Sequence, residues 1–374
     1  MNVVVVGGGM VGAGAAVSLA KQGHHVTVIE AGKAAASEGD WDLRISSIHL
    51  RNVEWLEELA TWSNIRAERK FMYTDLAVQT VDGQRLNFSN TDVDCSALGA
   101  MVENNALQEA LWGQFSEHNI RVYSETRVEQ FDLADRTVAL SNGEKLTYDL
   151  LLGADGAQSQ VAKAAQIGQR GWDYDMHCML AIADVEQPLP AATWEVFRHQ
   201  GPFALLPLGP NQACLIDYRS QQQWQEFAGN SDAIKQSLCE VFAPHIGAHT
   251  ISKFAGFPLR RQRALRYTSH DSVALIGDAA HSIHPLAGQG VNLGFADVQE
   301  LTTQLAANSL LQALKNYERI RMHENQQMMR AMDAIHVGFR SQHFLPRGLL
   351  AAGLTLVDRV APMKRLLVRK AIGF

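Results

Sequence analysis

The hydrophobic positions at the start of the chain form a pattern typical of a parallel β-sheet with a crossover helix. Residues 3–6 are an unbroken run of valine, which fits a strand buried on both faces. A glycine-rich stretch over 7–14 comes next, followed by an alanine-rich helical segment that Gly23 is expected to end. Residues 26–29 predict a second strand that stops before Glu30. Together these elements predict a βαβ unit.

The period of the pattern changes several times further along. A helix is predicted after the polar stretch 32–42, ending near Trp62, and a second helix over 103–115. Residues 76–88 alternate around a central turn and predict a hairpin. Short strands and turns are expected over 121–145.

The second half of the chain contains two buried strands on either side of a sheet-rich segment. The buried strands are predicted over 148–152 and 272–276. Between them, 178–265 consists of short alternating stretches broken by Pro and Gly, which indicates a mainly antiparallel sheet. A loop over 277–290 and a helix over 291–307 follow, and the remainder is helical.

The glycine-rich turn has the spacing of a dinucleotide-binding motif. Gly7 permits a tight turn, Gly9 lets a diphosphate approach the backbone, and Gly12 lets the helix pack closely on the strand. The N–H groups at the start of the helix are available to a phosphate. Glu30 ends the next strand, where a carboxylate accepts hydrogen bonds from ribose hydroxyls. The motif alone does not distinguish FAD from NAD, and a glycine-rich turn that binds nothing is the alternative.

Composition narrows the class of protein. Of the 374 residues, 47% are hydrophobic and 19% charged, so the chain can bury a sizeable core. The formal net charge is −6 and no basic block occurs, which argues against nucleic acid as a partner. The four cysteines are far apart, so neither a zinc site nor a thiol pair is predicted. Without a leader or a long apolar run, we expect a cytoplasmic protein with reduced thiols.

Two later segments bring a family resemblance. The segments 153–156 (Gly-Ala-Asp-Gly) and 277–281 (Gly-Asp-Ala-Ala-His) each follow a predicted strand, and with the first motif they resemble the three fingerprints of the aromatic-hydroxylase flavoproteins. Within that group, the segments 42–47, 103–108 and 277–294 resemble the ubiquinone-biosynthesis hydroxylases. The resemblance covers nearly the whole chain. Its one departure is a short Ala- and Ser-rich stretch over 33–39.

The resemblance implies an α/β fold in which a Rossmann-like FAD-binding domain carries an inserted, mainly antiparallel β-sheet substrate domain and a helical C-terminus. The expected ranges are 1–70, 96–175 and 268–330 for the discontinuous FAD-binding domain, 71–95 and 176–267 for the substrate domain, and 331–374 for the C-terminal helical region.

The resemblance also implies the chemistry. Reduced FAD would react with O2 to form a flavin hydroperoxide, whose distal oxygen is transferred to the ring of a polyprenylated quinol or phenol. NAD(P)H or another electron donor would act as a transient reductant. The protein would exclude water, hold the ring near the flavin and stabilise flavin charge. No catalytic base is predicted.

Site residues carry over onto matching positions only. The loop expected to face the flavin contains Pro285, Gly288, Gln289 and Gly290. The residues expected to bind the cofactor are Gly7, Gly9, Gly12, Glu30, Arg44, Asn104, Gln108, Asp155, Gly277, Asp278, Gly290 and Asn292. No metal ligand is predicted.

Several of these residues have ordinary structural alternatives. Arg44 could form a surface salt bridge, Asn104 could cap a helix, and Asp155 could cap a turn or serve the nicotinamide donor. His281 and His284 have a spacing that suggests a metal, but no cysteine accompanies them and Pro285 follows directly, which argues against a metal site.

The C-terminal segment suggests further partners. Residues 349–357 are apolar and 363–370 are basic and amphipathic, as expected of a helix lying on a membrane surface and suited to a polyprenyl substrate. A terminal helix packed on the body, or on a partner, is the alternative. We therefore expect peripheral contact with the inner face of the cytoplasmic membrane, and membership of a quinone-synthesis protein complex remains open.

Three other functions remain to be weighed. One is a sister hydroxylase acting at another ring carbon, another is a hydroxylase of a smaller aromatic compound, and the third is a non-catalytic flavoprotein scaffold. The sequence leaves open the ring carbon, the prenyl length, the electron donor and the oligomeric state. A nicotinamide dehydrogenase is disfavoured by the second and third flavin-type motifs.

Overall fold

The computed structural model describes residues 1–37, 39–80, 83–198, 200–227, 229–282, 289–340 and 360–373. Its strands, in chain order, are β1 Asn2–Val6, β2 His25–Ile29, β3 Ile45–His49, β4 Lys70–Tyr73, β5 Asp75–Thr80, β6 Arg85–Ser89, β7 Gly99–Glu103, β8 Arg121–Tyr123, β9 Val128–Asp132, β10 Thr137–Leu140, β11 Lys145–Thr147, β12 Leu150–Gly153, β13 Gln169–Val185, β14 Ala192–Phe197, β15 Phe203–Gly209, β16 Gln212–Ser220, β17 His249–Ala264, β18 Thr268–Ser269, β19 Val273–Leu275 and β20 His281–Ser282.

The helices surround the sheets. They are α1 Met10–Lys21, α2 Leu50–Glu58, α3 Asn104–Trp112, α4 Gln160–Ala164, α5 Gln221–Phe227, α6 Ser231–Ile246, α7 Gln289–Ala307, α8 Leu310–Arg340 and α9 Ala361–Ala371. Short 3₁₀ helices occur at Trp62–Asn64, Ala67–Arg69, Asn90–Asp92 and Gly277–Ala279.

A six-stranded sheet forms the first layer of the fold. Its order is β18-β19-β12-β1-β2-β8, and all neighbours are parallel except the edge pair β18–β19. Val4 pairs with Thr27 on one side and with Leu151 on the other, so β1 lies in the middle. The valines of β1 are almost completely buried, which explains why the strand has no polar face. The predicted βαβ unit is therefore present.

An eight-stranded sheet forms the second large layer. Its order is β20-β17-β13-β16-β15-β14-β5-β6, antiparallel except for the parallel pair β14–β5. One face packs on α6 through residues such as Leu238 and Phe242. The opposite face turns towards the three-stranded sheet β3-β7-β4 and contributes Cys178 and Tyr218 to a second buried cluster. The α/β fold class, with a mainly antiparallel second sheet, agrees with the sequence.

Three elements differ from the sequence prediction. The segment expected to be helical up to Trp62 begins with a strand, β3, because Ile45 pairs with Glu103 of β7 more than fifty residues later. The sheet-rich segment also contains the sixteen-residue helix α6. That helix buries Ile234, Leu238 and Phe242, whose spacing of four is visible in the sequence. β13 starts at Gln169, within the range that was assigned to the FAD-binding domain.

Within the described residues, no helix combines the length and the apolar character needed to cross a bilayer.

Candidate active site

The glycine-rich turn is shaped by close backbone contacts. Gly7 has φ +102°, and a side-chain carbon there would lie 2.4 Å from the carbonyl oxygen of Ala154. A side-chain carbon at Gly12 would lie 2.0 Å from the carbonyl oxygen of Gly7. For Gly9, no atom from the described part of the chain lies within 4 Å of that position. Gly7 and Gly12 are therefore required by the protein's own packing, whereas Gly9 borders open space at the start of α1.

A cleft of about 820 Å³ opens beside this turn, between the ends of β1, β2 and β12. Gly9, Glu30 and Asp155 line it. The Glu30 carboxylate accepts hydrogen bonds from the backbone N–H groups of Gly8 at 2.6 Å and Gly32 at 2.7 Å. These bonds hold the carboxylate at the cleft wall, where each oxygen keeps a second lone pair for a hydroxyl donor.

Helix α3 supports the turn from the other side. Gln108 Nε2 donates to the Gly8 carbonyl at 2.9 Å, and Trp112 Nε1 donates to the same oxygen at 2.7 Å. Gln108 was predicted to contact the cofactor, and here its amide fixes the backbone of the turn. Trp112 was not singled out from the sequence. Its spacing of four from Gln108, on the same helix face, was the available indication.

In the second glycine segment, 153–156, the Asp155 carboxylate already has hydrogen-bond partners within the protein. Asp155 accepts hydrogen bonds from the Ser159 hydroxyl at 2.5 Å and from the Gln160 N–H at 2.6 Å, so it caps the start of α4. This is the turn-capping alternative considered for Asp155. Because Asp155 also borders the cleft, a contact with a cofactor stays a prediction.

The third glycine segment, 277–281, places the Asp278 carboxyl where it is both exposed to solvent and surrounded by protein atoms. Gly277 has φ +58°, and the Asp278 side chain is exposed to solvent. Burial by surrounding protein atoms nevertheless raises the pKa of Asp278, while His281 acts in the opposite direction. A side chain that reaches solvent and is also surrounded by protein lies on the wall of a cleft. The cofactor contact predicted for Asp278 fits that position and stays a prediction.

A buried ion network lies directly beneath this segment. Asp297 of α7 contacts His281 Nε2 at 2.5 Å and Arg321 Nε at 2.8 Å, and it accepts the Gly277 N–H at 3.0 Å. Burial alone would raise the pKa of Asp297, but His281 and Arg321 outweigh it and lower the pKa to about 2. Asn325 adds a further bond to Asp297 at 3.2 Å. This network fixes the third segment to helices α7 and α8.

The start of α7 is tied to β3. Asn292 is buried; its Nδ2 donates to the Ser47 carbonyl at 2.7 Å, and its Oδ1 accepts the His49 N–H at 2.9 Å. Gly290 lies in the first turn of the helix, and no atom of the described residues lies within 4 Å of the position that a side-chain carbon would take there. The side chain predicted to bind the cofactor at Asn292 thus positions the helix start.

Arg44 and Asn104 lie next to each other beside the start of β3. Arg44 is exposed, pairs with Asp42 at 3.2 Å and donates to Asn105. This matches the surface salt bridge considered for it. Asn104 is the first residue of α3, its Oδ1 accepts from Ser46, and the N-cap position belongs to Glu103. The capping role considered for Asn104 is therefore wrong.

A buried pair not anticipated from the sequence anchors this region. Arg69 contacts Glu103 at 3.0 Å, stacks over the Trp41 ring at 5.0 Å and donates to the Gly39 carbonyl. Burial raises the pKa of Glu103, and Arg69 acts in the opposite direction. The pair holds the stretch before β3 against β7.

Pro285, Gly288 and His284 lie outside the described residues, and of Gln289 only the backbone is described.

A second, largely apolar cavity of about 840 Å³ lies between β3 and β7 on one side and the eight-stranded sheet on the other. Ile45, Ser47 and Met101 form the first wall, and the second includes Leu180 and Ile216. Ser47 of β3 lines this cavity, and its carbonyl accepts a hydrogen bond from Asn292 at the start of α7. β3 therefore connects the cavity wall to the start of α7. An apolar cavity of this kind suits an aromatic or prenylated molecule.

The comparisons with known proteins agree with this geometry. The family model described as FAD binding domain matches residues 1–332. The chain belongs to this family of FAD-dependent monooxygenases. Over 385 residues it is 35% identical to the 3-demethoxyubiquinol 3-hydroxylase of Escherichia coli (strain K12), covering all of this chain and 98% of that protein. It is 31% identical to the ubiquinone hydroxylase UbiL of Rhodospirillum rubrum, covering 100% and 89% of the two chains.

Solved structures share the fold of this FAD-dependent monooxygenase. PqsL, a probable FAD-dependent monooxygenase from Pseudomonas aeruginosa, superposes with a TM-score of 0.78 at 22% identity, covering 95% of this chain and 99% of that chain. The p-nitrophenol 4-monooxygenase PnpA from Pseudomonas putida gives 0.81 at 17% identity, covering 99% and 97%. The predicted fold class, the FAD cofactor and the resemblance to ubiquinone-biosynthesis hydroxylases are confirmed.

Proposed function

We propose that this FAD-dependent monooxygenase hydroxylates the ring of a polyprenylated benzoquinol in ubiquinone biosynthesis, with demethoxyubiquinol as the substrate. The similarity over the full length to the E. coli 3-demethoxyubiquinol 3-hydroxylase supports the choice of ring. The observation that carries the proposal is the apolar cavity between the two halves of the fold, bordered by the strand that positions the start of α7.

The residues around the first cleft fit FAD. The N–H groups at the start of α1 would hold the diphosphate beside Gly9, where the backbone leaves open space. Glu30 would accept hydrogen bonds from the adenosine ribose, and Asp278 from the ribityl chain. The helix start at Gly290 and Asn292 would stabilise negative charge on the ring system. Gln108, Trp112 and Asp297 act indirectly, because they fix the positions of the segments that would contact FAD.

When bound and reduced, FAD supplies the activation of O2 for transfer of one oxygen atom to the aromatic ring. The chain's own residues position and protect. Leu180, Ile216 and Met101, which line the cavity, would exclude water from the ring. We propose that NAD(P)H or another donor reduces the flavin transiently, so that a permanent second dinucleotide site is not required.

Purified protein tests the proposal directly. We expect the absorption spectrum of bound oxidised flavin and oxygen consumption that a demethoxyubiquinol analogue with a short prenyl chain stimulates. Mass spectrometry and NMR of the product identify the carbon that is hydroxylated. Oxygen uptake with a hydroxyl at another carbon would indicate a sister hydroxylase. Bound FAD without stimulated uptake, for any quinol and donor, would indicate a scaffold.

We also propose that α9 contacts the membrane surface that holds the substrate. The helix is fixed to the body by buried Val368 and Ile372, and it exposes Leu366 and Leu367 between basic residues. One side of the helix therefore packs on the body, and the other presents leucines and basic residues to solvent. Packing on the body and contact with a membrane, the two roles considered for this segment, are thus compatible. The Leu366→Glu/Leu367→Glu double variant should lose co-flotation with anionic liposomes, while Lys145→Glu, on β11, should not. Equal, negligible flotation of wild type and variant would contradict the proposal.

A further inference from the structure

Glu195 places a carboxyl group inside the apolar cavity. It lies in β14, where it pairs with Ala204 of β15 and Val78 of β5. Cross-strand partners share a face of the sheet, and Ala204 in turn pairs with Ile216, which pairs with Leu180. Glu195 is thus on the face that lines the cavity.

The other polar groups of the cavity wall have hydrogen-bond partners within the protein. Thr193 Oγ1 donates to the Leu205 carbonyl at 2.7 Å, and the Ser47 hydroxyl bonds to the Tyr73 hydroxyl at 3.0 Å. Tyr218 of β16 bonds to Cys178 of β13. Among the described residues lining the cavity there is no lysine, arginine, histidine or second carboxylate to pair with Glu195.

The Glu195 side chain is half-buried by solvent accessibility, and the environment of its carboxyl differs from that of these groups. Its Oε1 is buried, and no hydrogen-bond donor from the described residues reaches it. Burial raises the pKa of Glu195 to about 8. The titratable groups that face it are Tyr218 and Cys178, and burial raises the pKa of both, so neither places a charge beside it at neutral pH. A buried carboxyl oxygen without a partner among the described residues costs stability, which is expected where a ligand supplies the missing partner.

We propose that Glu195 binds a ring hydroxyl of the quinol substrate and, in its ionised form, accepts the hydroxyl proton. The proposal rests on the proposed function. In the step, the O–H bond of the ring hydroxyl breaks and an O–H bond forms on the carboxylate, so the negative charge moves to the ring oxygen. No electron is gained or lost by either partner.

The chemistry of the cavity suits this transfer. An ionised ring oxygen donates electrons into the ring and makes its carbon more reactive towards an electrophilic oxygen. A phenolic hydroxyl ionises near pH 10, as in tyrosine, whereas an ordinary glutamate ionises near pH 4.3. A carboxyl whose pKa is raised towards neutral pH is a stronger base and bridges much of this gap.

The test compares FAD-loaded wild type with Glu195→Gln and with the control Glu186→Gln, which removes an exposed carboxyl just after β13. Three quantities are measured: bound FAD, the dissociation constant of a short-chain quinol from the change in flavin fluorescence, and kcat against pH. For Glu195→Gln we expect unchanged FAD, a kcat lower by about 10²- to 10⁴-fold and loss of the rise in kcat near pH 8. Glu186→Gln should match wild type.

Binding selectivity gives a second measure. Wild type should bind the quinol more tightly than its O-methyl ether, because the ether has no proton to donate. A Glu195→Leu variant should lose this preference, and Glu195→Asp should restore part of the pH dependence. If Glu195→Gln keeps the wild-type kcat and pH profile while wild type hydroxylates the quinol, the role of Glu195 is wrong. If wild type itself does not hydroxylate any quinol, it is the proposed function that fails.

A measurement without substrate checks that the carboxyl is buried as described. The folded protein keeps Glu195 protonated up to about pH 8, whereas the unfolded chain releases the proton near pH 4.5. Stability from this residue therefore falls as the pH rises between those values. The melting temperature of wild type relative to Glu195→Gln should fall between pH 5 and pH 8. A constant difference would show that the side chain is solvated and would overturn the inference.

Discussion

The glycines of the first glycine-rich turn have different structural roles although they belong to one motif. Gly7 and Gly12 accommodate other backbone atoms, while Gly9 faces the space in which a diphosphate would lie. This difference can be tested, because alanine adds the same methyl group at each position and only its surroundings differ.

Gly12→Ala should destabilise the folded protein, by about 1 to 3 kcal/mol, because its methyl group would overlap the Gly7 carbonyl. Gly9→Ala should fold with a nearly unchanged melting temperature but bind FAD at least tenfold more weakly, about 1.4 kcal/mol. Thermal unfolding of the apoproteins and FAD titration separate the two effects. Full FAD affinity in Gly9→Ala would place the diphosphate elsewhere.

Asp297 illustrates how one buried charge can connect three segments. It contacts Gly277, His281 and Arg321, and Arg321 also bonds to the Leu293 carbonyl. Removing the carboxylate would leave the guanidinium buried without its main partner, which is costly.

Asp297→Asn is therefore expected to lower the free energy of unfolding by about 3 to 5 kcal/mol at neutral pH. The folded protein keeps this carboxylate ionised to about pH 2, whereas the unfolded chain protonates it near pH 3.8. The stability it contributes is present above pH 4 and is lost as the pH falls towards 2. Denaturant unfolding between pH 3 and pH 7 should show a smaller gap between wild type and variant at the acid end. A gap independent of pH would contradict this account.

Among the elements, α3 determines the shape of a loop to which it does not belong. Two side chains one helical turn apart, Gln108 and Trp112, donate to the same carbonyl oxygen of Gly8. The loop that would receive the diphosphate is therefore fixed by a helix about one hundred residues later in the sequence.

Trp112→Phe keeps an aromatic ring against Phe115 but removes the N–H donor. We expect a loss of about 1 kcal/mol in stability and a several-fold weaker affinity for FAD, measured by fluorescence titration. Trp62→Phe is the control, since it changes a buried indole away from the cleft. An equal loss of FAD affinity in both variants would show that the hydrogen bond to Gly8 has no specific role.

On the scale of the whole molecule, the cleft is assembled from segments that are distant in the sequence. The first βαβ unit and the segment leading into α4 line it, and Gly277 of the third glycine segment packs against Val11 of α1. A ligand that contacts all of them stabilises the complete fold rather than one part.

Reconstitution with FAD should therefore raise the melting temperature of the apoprotein in a single transition. At a free FAD concentration of one hundred times the dissociation constant, the gain is about 2.7 kcal/mol. FMN, which lacks the adenosine that Glu30 would hold, should give a smaller shift at the same concentration. If FMN and FAD stabilise equally, the first cleft does not hold the adenosine half.

The sequence by itself determined the parts of this protein that depend on local requirements. A buried valine strand, a turn that only glycine accommodates and a carboxylate at the end of the next strand are defined by neighbouring residues, so the βαβ unit and a dinucleotide cofactor were predicted from them, while FAD followed only from the family resemblance. The fingerprints at 153–156 and 277–281 added the family. The spacing of Ile234, Leu238 and Phe242 would also have revealed α6.

Only the tertiary structure decided the rest, because the partners are distant along the chain. β3 is a strand because β7 pairs with it, and Asp297 holds its charge because Arg321 and His281 are folded against it. Glu195 appears in the sequence as one charged residue in an apolar strand. Its proposed role depends on the tertiary structure, because its carboxyl faces a cavity. Several strands of one sheet, together with β3 and β7, form that cavity.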